Sequence, residues 1–352
     1  MERDRDPSNS RRATHGDASW SRRGPARSDR AEESTLGLDL AHPRSGGRGR
    51  RRAALTERSR PTALDARVVR ATLKPLPRNA GKEARGRVLI IGGSLRYPGA
   101  ALLAARAALR CGAGVVTIAA GRTVVEAIAG EDPNVTLFPL AEAQPGVVAA
   151  SAAAQVSTIT SERTRALLLG PGLAHAPGTD DFVIAALRNA RSIATIVDAD
   201  GLNALARTEA WRDALPSNTI LTPHDGEAAR LAGGVVPSGS ARVTFAERHA
   251  RDWGAVVVLK GAVTVVTDGK KTYVHDQPNP TLGIGGSGDV LGGAIAALVA
   301  RGIAPLAAAA SGVWAHGRAG ALLASEIGES GALATEIADA LPRALHEIVE
   351  GR

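Results

Sequence analysis

Arg87-Val-Leu-Ile-Ile91, halted by Gly92-Gly93, and the Ala- and Leu-rich stretch Ala100–Arg110 behind it decide the architecture. An apolar run without polar alternation predicts a strand buried on both faces. The stretch after it is long enough for a helix, Gly112 and Gly114 close it, and Val115–Ile118 starts a second strand. The same unit recurs along the chain. Strands are expected at Ala166–Leu169, Ile193–Val197, Thr219–Leu221 and Ala255–Leu259, and helices near Phe182–Arg188, after Asp200 and at Gly226–Ala232. Repeated strand–helix units predict an α/β fold, a mostly parallel central sheet with helices on both faces.

Val263–Thr267 and Lys271–His275, separated by Asp268-Gly269-Lys270, break the alternation and predict a hairpin. Helices are then expected at Ser287–Arg301, Pro305–Ala324 and Gly331–Val349. Upstream, residues 1 to about 60 are rich in Arg, Ser, Gly, Asp and Pro with no hydrophobic period. Such a segment buries too little surface to offset its ordering entropy. The expected organisation is a disordered Arg-rich extension over 1–63 and one α/β domain over 64–352.

Charge follows the same division. The chain carries +8, but residues 1–60 hold fifteen Arg against nine acidic residues, which leaves +2 for the rest. A near-neutral domain with 3% aromatic residues has neither a basic nucleic-acid footprint nor base-stacking platforms. Its single cysteine, Cys111, excludes a disulfide framework and is expected to be a buried, inert thiol. The longest uncharged apolar stretch, Val290–Ala300, stops well short of the ~20 residues of a membrane span. The opening Met-Glu-Arg-Asp-Arg-Asp lacks the apolar core of a secretory signal, so a soluble cytoplasmic protein is expected.

The strongest chemical signal is Gly283-Ile-Gly-Gly-Ser-Gly-Asp289 ahead of an apolar helix. Glycines let the backbone approach a ligand and aim several amides at one point. The helix start adds about half a positive charge, which suits a phosphoryl group in transfer. A carboxylate beside such an anion hole can take a proton from an attacking hydroxyl. Read alone, the segment also fits a glycine loop in which Asp289 only caps a helix. It is not a P-loop, because Gly-Lys-Ser/Thr is absent. Gly92–Gly99 does not match the dinucleotide fingerprint either, and no acidic residue follows before Glu126.

Further polar clusters follow predicted strands, at the carboxyl edge where open α/β sheets bind ligands. They are Gly170-Pro-Gly172, Asp198-Ala-Asp200 with Asn203, Thr222-Pro-His-Asp-Gly-Glu227, and Lys260-Gly261. Singly, Asp200 and Asp225 read equally as helix-start residues, Glu227 as a helix-dipole partner and Lys260 as a solvated strand end. Their joint placement points to one shared cleft.

Taken in order, with Gly86–Ser94 and Tyr97-Pro-Gly-Ala100, these motifs resemble the NAD(P)H-hydrate dehydratase family, a branch of the ribokinase-like superfamily. The resemblance runs from about Leu64 to the C-terminus. It implies ADP- or ATP-dependent dehydration of hydrated NADH and NADPH, by phosphorylation of the added hydroxyl and loss of phosphate. It makes Asp289 the base, and Ala100, Gly172, His224 and Asp289 the substrate contacts. Lys260, Gly261, Ala262, Val263 and Thr264 would bind the nucleotide, with Gly286, Ser287 and Gly288 giving amides to the moving phosphoryl group. Glu227 would help hold Mg²⁺ through water, and Asp200 and Asn203 would line the cleft. A separate epimerase partner and a homotetramer are implied as well. The Ala-, Arg- and Gly-rich composition favours ADP as donor.

Two positions depart from the family pattern. Asp225 stands where relatives carry Pro, adding negative charge near an anionic substrate, and Ala174 stands where many carry Gly. The nearest alternative is a thiazole- or pyrimidine-type small-molecule kinase of the same superfamily. Such kinases carry Asn at the place of His224. A non-catalytic nucleotide- or nucleic-acid-binding protein is a more distant alternative, against which an intact Asp289 argues.

Overall fold

A computed structural model describes residues 60–73, 75–160 and 163–350. The extension expected to be disordered lies, up to residue 59, outside the described residues. Regular structure begins slightly before the expected boundary at residue 64. Strand β1 (Thr62–Ala63) precedes helices α1 (Ala66–Thr72) and α2 (Lys82–Arg85). Then come β2 (Arg87–Ile91), α3 (Pro98–Arg110), β3 (Val115–Gly121), α4 (Arg122–Ile128) and β4 (Thr136–Leu140). A small ribbon of β5 (Glu142–Gln144) and β6 (Val147–Val148) leads to α5 (Ala153–Ile159) and β7 (Thr164–Leu169).

The next units are α6 (Thr179–Asn189), β8 (Ala194–Val197), α7 (Asp200–Arg207), β9 (Thr219–Leu221) and α8 (Asp225–Ala232). Helix α9 (Gly239–Trp253) precedes β10 (Val256–Leu259), β11 (Val263–Thr267) and β12 (Thr272–Asp276). Three helices close the chain: α10 (Ser287–Ala300), α11 (Pro305–Ile327) and α12 (Ala334–Glu350).

Among the described residues, ten strands form one sheet in the order β1-β12-β11-β10-β9-β8-β7-β2-β3-β4. Only β11 runs against its neighbours, through the expected hairpin with β12 and an antiparallel pairing with β10. Strand β1 pairs in parallel with β12, and the Leu64 amide donates to the Val274 carbonyl at 2.8 Å. The chain therefore edges its own sheet with residues just before the expected domain start. Strand β4 closes the opposite edge, where Pro139 is tolerated because an edge strand need not donate on its outer side.

Strand β2 shows why the sequence is apolar without alternation. Val88 and Ile90 enter a core shared with α3, α10, α11 and α12, whereas Leu89 and Ile91 enter a second core under α5 to α9. Each such side chain contributes about 1.5–3 kcal/mol on burial. Helix α10 is buried almost all round and packs on α3, α11 and β7, as its unbroken apolar composition requires. Cys111 is buried, and burial pushes its thiol up to about 12, as fits an inert core residue.

The strand order sets the position of the cleft. From β2 the chain moves outward to β3 and β4, then returns to β7 on the other side of β2 and continues outward to β10. The β2 and β7 carboxyl ends thus flank the topological switch point, where loops diverge and leave a crevice.

Candidate active site

Helix α10 starts beside this crevice. Gly286, at φ 87°, forms its N-cap, and Ser287, Gly288 and Asp289 make the first turn. Amides of a first turn lack intrahelical partners and present partial positive charge. Of the three donors expected for phosphate, the Ser287 amide is already engaged by the Ile284 carbonyl at 3.3 Å. Its hydroxyl meets Nε2 of His316, on α11, at 3.0 Å. Burial pulls the His316 imidazole down to about 4, so it is neutral beside the helix start. Asp289 is half-buried, and its carboxyl is pushed up to about 7. Burial is the main cause; the carboxylates of Asp198 and Asp200 add to it, and Lys260 opposes them.

Lys260 owes its place to sheet register. It extends β10 by one parallel bridge with His224, which extends β9, and its amide donates to the Pro223 carbonyl at 2.8 Å. Its ammonium donates to Oδ1 of Asp198 at 2.7 Å, and the Thr222 hydroxyl donates to the same oxygen at 2.8 Å. Burial works against the Lys260 charge, but Asp198 and Glu227 outweigh it and hold the ammonium above its ordinary range. Asp198 is almost fully buried at the end of β8. The next residue, Ala199, sits at φ 49° and ψ −118°, a conformation rare for residues with a side chain. That twist separates the duties of the two aspartates: Asp198 pairs with Lys260, and Asp200 does not.

His224 is the N-cap of α8. Its Nδ1 accepts from the amides of Gly226 (3.0 Å) and Glu227 (3.4 Å), while Glu227 Oε2 accepts from the His224 amide at 2.9 Å. This reciprocal capping satisfies three backbone donors at the helix start. Burial, with Lys260 and Arg230 nearby, lowers the His224 pKa and favours the neutral ring that this geometry needs. Glu227 is buried, and its carboxyl is pushed up to about 7, chiefly by burial. Asp225 occupies the first position of the helix and pairs with Arg242 at 2.6 Å. Its charge, expected to disturb an anionic substrate, is therefore directed to a cation of the chain's own.

Gly172, at φ 65°, follows β7. A methyl group there would lie 2.8 Å from the Ala100 Cβ and 2.9 Å from the Tyr97 Cβ, so only glycine lets these loops close. Ala100 lies in the first turn of α3, so this packing brings two expected substrate contacts together. Ala174 adopts φ 59°, a left-handed position that favours glycine. Asp200 Oδ2 accepts the Ala174 amide at 2.8 Å, and Asn203 spans Asp200 (3.3 Å) and Arg230 (3.1 Å). Asp200 and Asn203 thus brace the cleft wall. They do not line the main cavity.

That cavity, about 620 Å³, opens between the Lys260–Thr264 turn and the start of α10. His224, Lys260, Gly261, Ala262 and Thr264 line one side, with Ser287 and Gly288 opposite. Val263 lies within β11 and does not line it, nor do Gly286, Ala100, Gly172, Glu227 or Asp289. The sequence reading missed three wall elements, His275, His316 and the Gln277–Pro280 loop, and, behind the wall, the pairing of Asp198 with Lys260. Two signals were available, a histidine inside the Ala-rich α11 and the polar loop after the hairpin. The size suits a nucleotide-sized ligand. The cavity therefore ends at a helix start that bears a near-neutral carboxyl, Asp289, with the Lys260 ammonium close by.

A sequence model of the NAD(P)H-hydrate dehydratase family matches residues 88–343. The chain is 39% identical over 282 residues to the ADP-dependent (S)-NAD(P)H-hydrate dehydratase of Xanthomonas campestris, covering 79% of this chain and 94% of that one. It belongs to the NAD(P)H-hydrate dehydratase family. It is also 38% identical over 290 residues to the bifunctional NAD(P)H-hydrate repair enzyme of Moorella thermoacetica, covering 82% of this chain and 54% of that enzyme. The chain thus spans about half the length of the bifunctional relatives it matches. The ADP/ATP-dependent NAD(P)H-hydrate dehydratase of Bacillus subtilis, co-crystallised with ATP and Mg²⁺, superposes with a TM-score of 0.68 at 29% identity, covering 82% of this chain and 99% of that one. The fold is ribokinase-like, as the motifs implied. No helix among the described residues is long and apolar enough to cross a membrane.

Proposed function

We propose that this member of the dehydratase family returns the S-epimer of hydrated NADH and NADPH to the reduced coenzyme, with ADP or ATP as phosphoryl donor. The observation that carries the reading is the Asp289 carboxyl, near neutrality at the start of α10, beside the Lys260–Asp198 pair. Hydroxide is a poor leaving group and phosphate a good one. Asp289 removes the proton of the added hydroxyl, whose oxygen attacks the terminal phosphorus. The bond to the leaving nucleotide breaks, with first-turn amides and Lys260 facing the charge that develops. The ring C–O bond then breaks with its electron pair on phosphate, the adjacent ring carbon gives up its proton to solvent water, and the C–H electron pair restores the double bond.

In this reading Ala100, Gly172 and His224 hold the hydrate and the Lys260–Thr264 turn holds the nucleotide. Among the described residues no group of three His, Cys, Asp or Glu side chains converges as a metal cage. An oxygen set of one buried carboxylate, Glu227, suits Mg²⁺ that arrives on phosphates and keeps most of its water. When bound, Mg²⁺ shields phosphate charge. ADP is the preferred donor, supported by the name of the Xanthomonas relative. The reading also carries an NAD(P)H-hydrate epimerase as the partner that supplies the S-epimer, assembly as a homotetramer, and a cytoplasmic location.

The test is direct. Purified protein is incubated with hydrated NADH, Mg²⁺ and either ADP or ATP. The near-ultraviolet absorbance of reduced nicotinamide should recover with at least one donor. No recovery with either, in protein that binds nucleotide, would sink the proposal.

A further inference from the structure

We propose that Arg242 is a positioning residue for the nucleotide, a brace that fixes the Lys260–Thr264 turn against the start of α8, with Asp225 as its anchor. The proposal rests on the reading above only in taking this turn as the nucleotide-binding segment. Arg242 projects from α9 and is buried. Its Nε donates to the Val263 carbonyl at 3.1 Å, and its Nη2 donates to the carbonyls of Lys260 (2.7 Å) and Leu259 (3.4 Å). Its Nη1 donates to Asp225 Oδ1 at 2.6 Å. One planar fork therefore joins three segments distant in sequence: α9, the first turn of α8 and the turn between β10 and β11.

Two features argue that the brace serves the site and not the core alone. A methyl group on Gly261 would lie 2.7 Å from Arg242 Nη2, so the guanidinium occupies the space that a side chain in the turn would need. The same turn presents Gly261, Ala262 and Thr264 to the main cavity. The guanidinium thus engages carbonyls that flank a segment facing an anionic ligand. Lysine cannot reproduce this fork. Asp225 gives the guanidinium a charged partner and sits one residue from His224, so the brace ties the nucleotide turn to the helix start that caps on His224.

The test compares the full-length protein with Arg242→Lys, Arg242→Gln and Asp225→Ala. Binding of ADP and ATP is followed by calorimetry, kcat and KM by hydrate dehydration, and Tm by thermal melting. Loss of one charge-assisted hydrogen bond from the brace should raise nucleotide Kd and KM about tenfold in the Arg242 variants, with kcat changed less than about threefold. Asp225→Ala should raise them about threefold. A lowered Tm with nucleotide Kd and KM unchanged would reduce Arg242 to a purely structural role and overturn the proposal. If the Arg242 variants fail to fold, Asp225→Ala decides alone, and an unchanged nucleotide Kd refutes the brace. Wild-type protein that binds nucleotide without dehydrating the hydrate would instead refute the functional reading, leaving the binding test of the brace in force.

Discussion

Replacing Asp289 by Asn should remove most turnover and at the same time make the protein more stable above neutrality. Asp289→Asn deletes a carboxylate whose pKa stands at about 7 against an ordinary 3.8. A rise of three units corresponds to roughly 4 kcal/mol of penalty on the charged form. Because the group is only half-buried, about half of that is expected after solvent screening, ~2 kcal/mol. The sign follows from linkage. The folded carboxyl binds its proton more tightly than the unfolded one, so wild-type stability falls as pH rises from about 4 to about 7. The variant lacks this loss. At about 2 °C per kcal/mol for a domain of this size, its Tm should exceed wild type by roughly 4 °C at pH 8, and the gap should close near pH 4. Turnover should fall by about 10²–10⁴-fold, the usual worth of a general base. In the wild type, kcat/KM should rise with pH through about 7, because the base must be unprotonated. Thermal melts from pH 4 to pH 8 and steady-state dehydration assays read both effects. Full turnover in the variant, or a Tm no higher than wild type at pH 8, would refute the reasoning.

Other substitutions test the rest of the cleft. Lys260→Met leaves buried Asp198 with the Thr222 hydroxyl as its one side-chain partner among the described residues, so stability should drop by about 3–5 kcal/mol in chemical denaturation. Adding Asp198→Asn should restore part of that stability but not nucleotide binding. Gly172→Ala forces a side chain into a left-handed position and against Ala100, and should cost about 2 kcal/mol. Its KM for the hydrate should rise while its KM for nucleotide holds; the reverse pattern would remove Gly172 from the substrate contacts. Ala174→Gly relieves about 1–2 kcal/mol of left-handed strain at φ 59°, partly offset by a more flexible unfolded chain. A net gain below about 1 kcal/mol is expected in urea unfolding, and a loss would contradict the strain argument.

Strands buried on both faces were legible because their chemistry is uniform, as β2 and β10 show. Helix α9 was not anticipated. It mixes Arg, His and Glu with a narrow stripe of Ala246, Ala250 and Trp253, and that stripe faces the core only once the sheet exists. Strand β4 was missed because an edge position leaves it partly exposed and tolerates Pro139, which in isolation argues against a strand. Strand β1 is two residues long and has no meaning apart from its pairing with Tyr273 and Val274.

By itself, the sequence determined the strand–helix alternation, the glycine run opening α10 and the presence of Asp289 in its first turn. These are local properties, carried by neighbouring residues through backbone geometry and apolar period. The tertiary structure decided which charges meet. Lys260 pairs with Asp198, sixty-two positions away, and not with Asp200, because β8, β9 and β10 lie side by side and Ala199 twists the chain between the two aspartates. Burial, which lifts Asp289 and Glu227 to near neutrality, is likewise a property of the assembled sheet and helices: the cost of a charge depends on what surrounds it, and no neighbour in sequence supplies that surrounding.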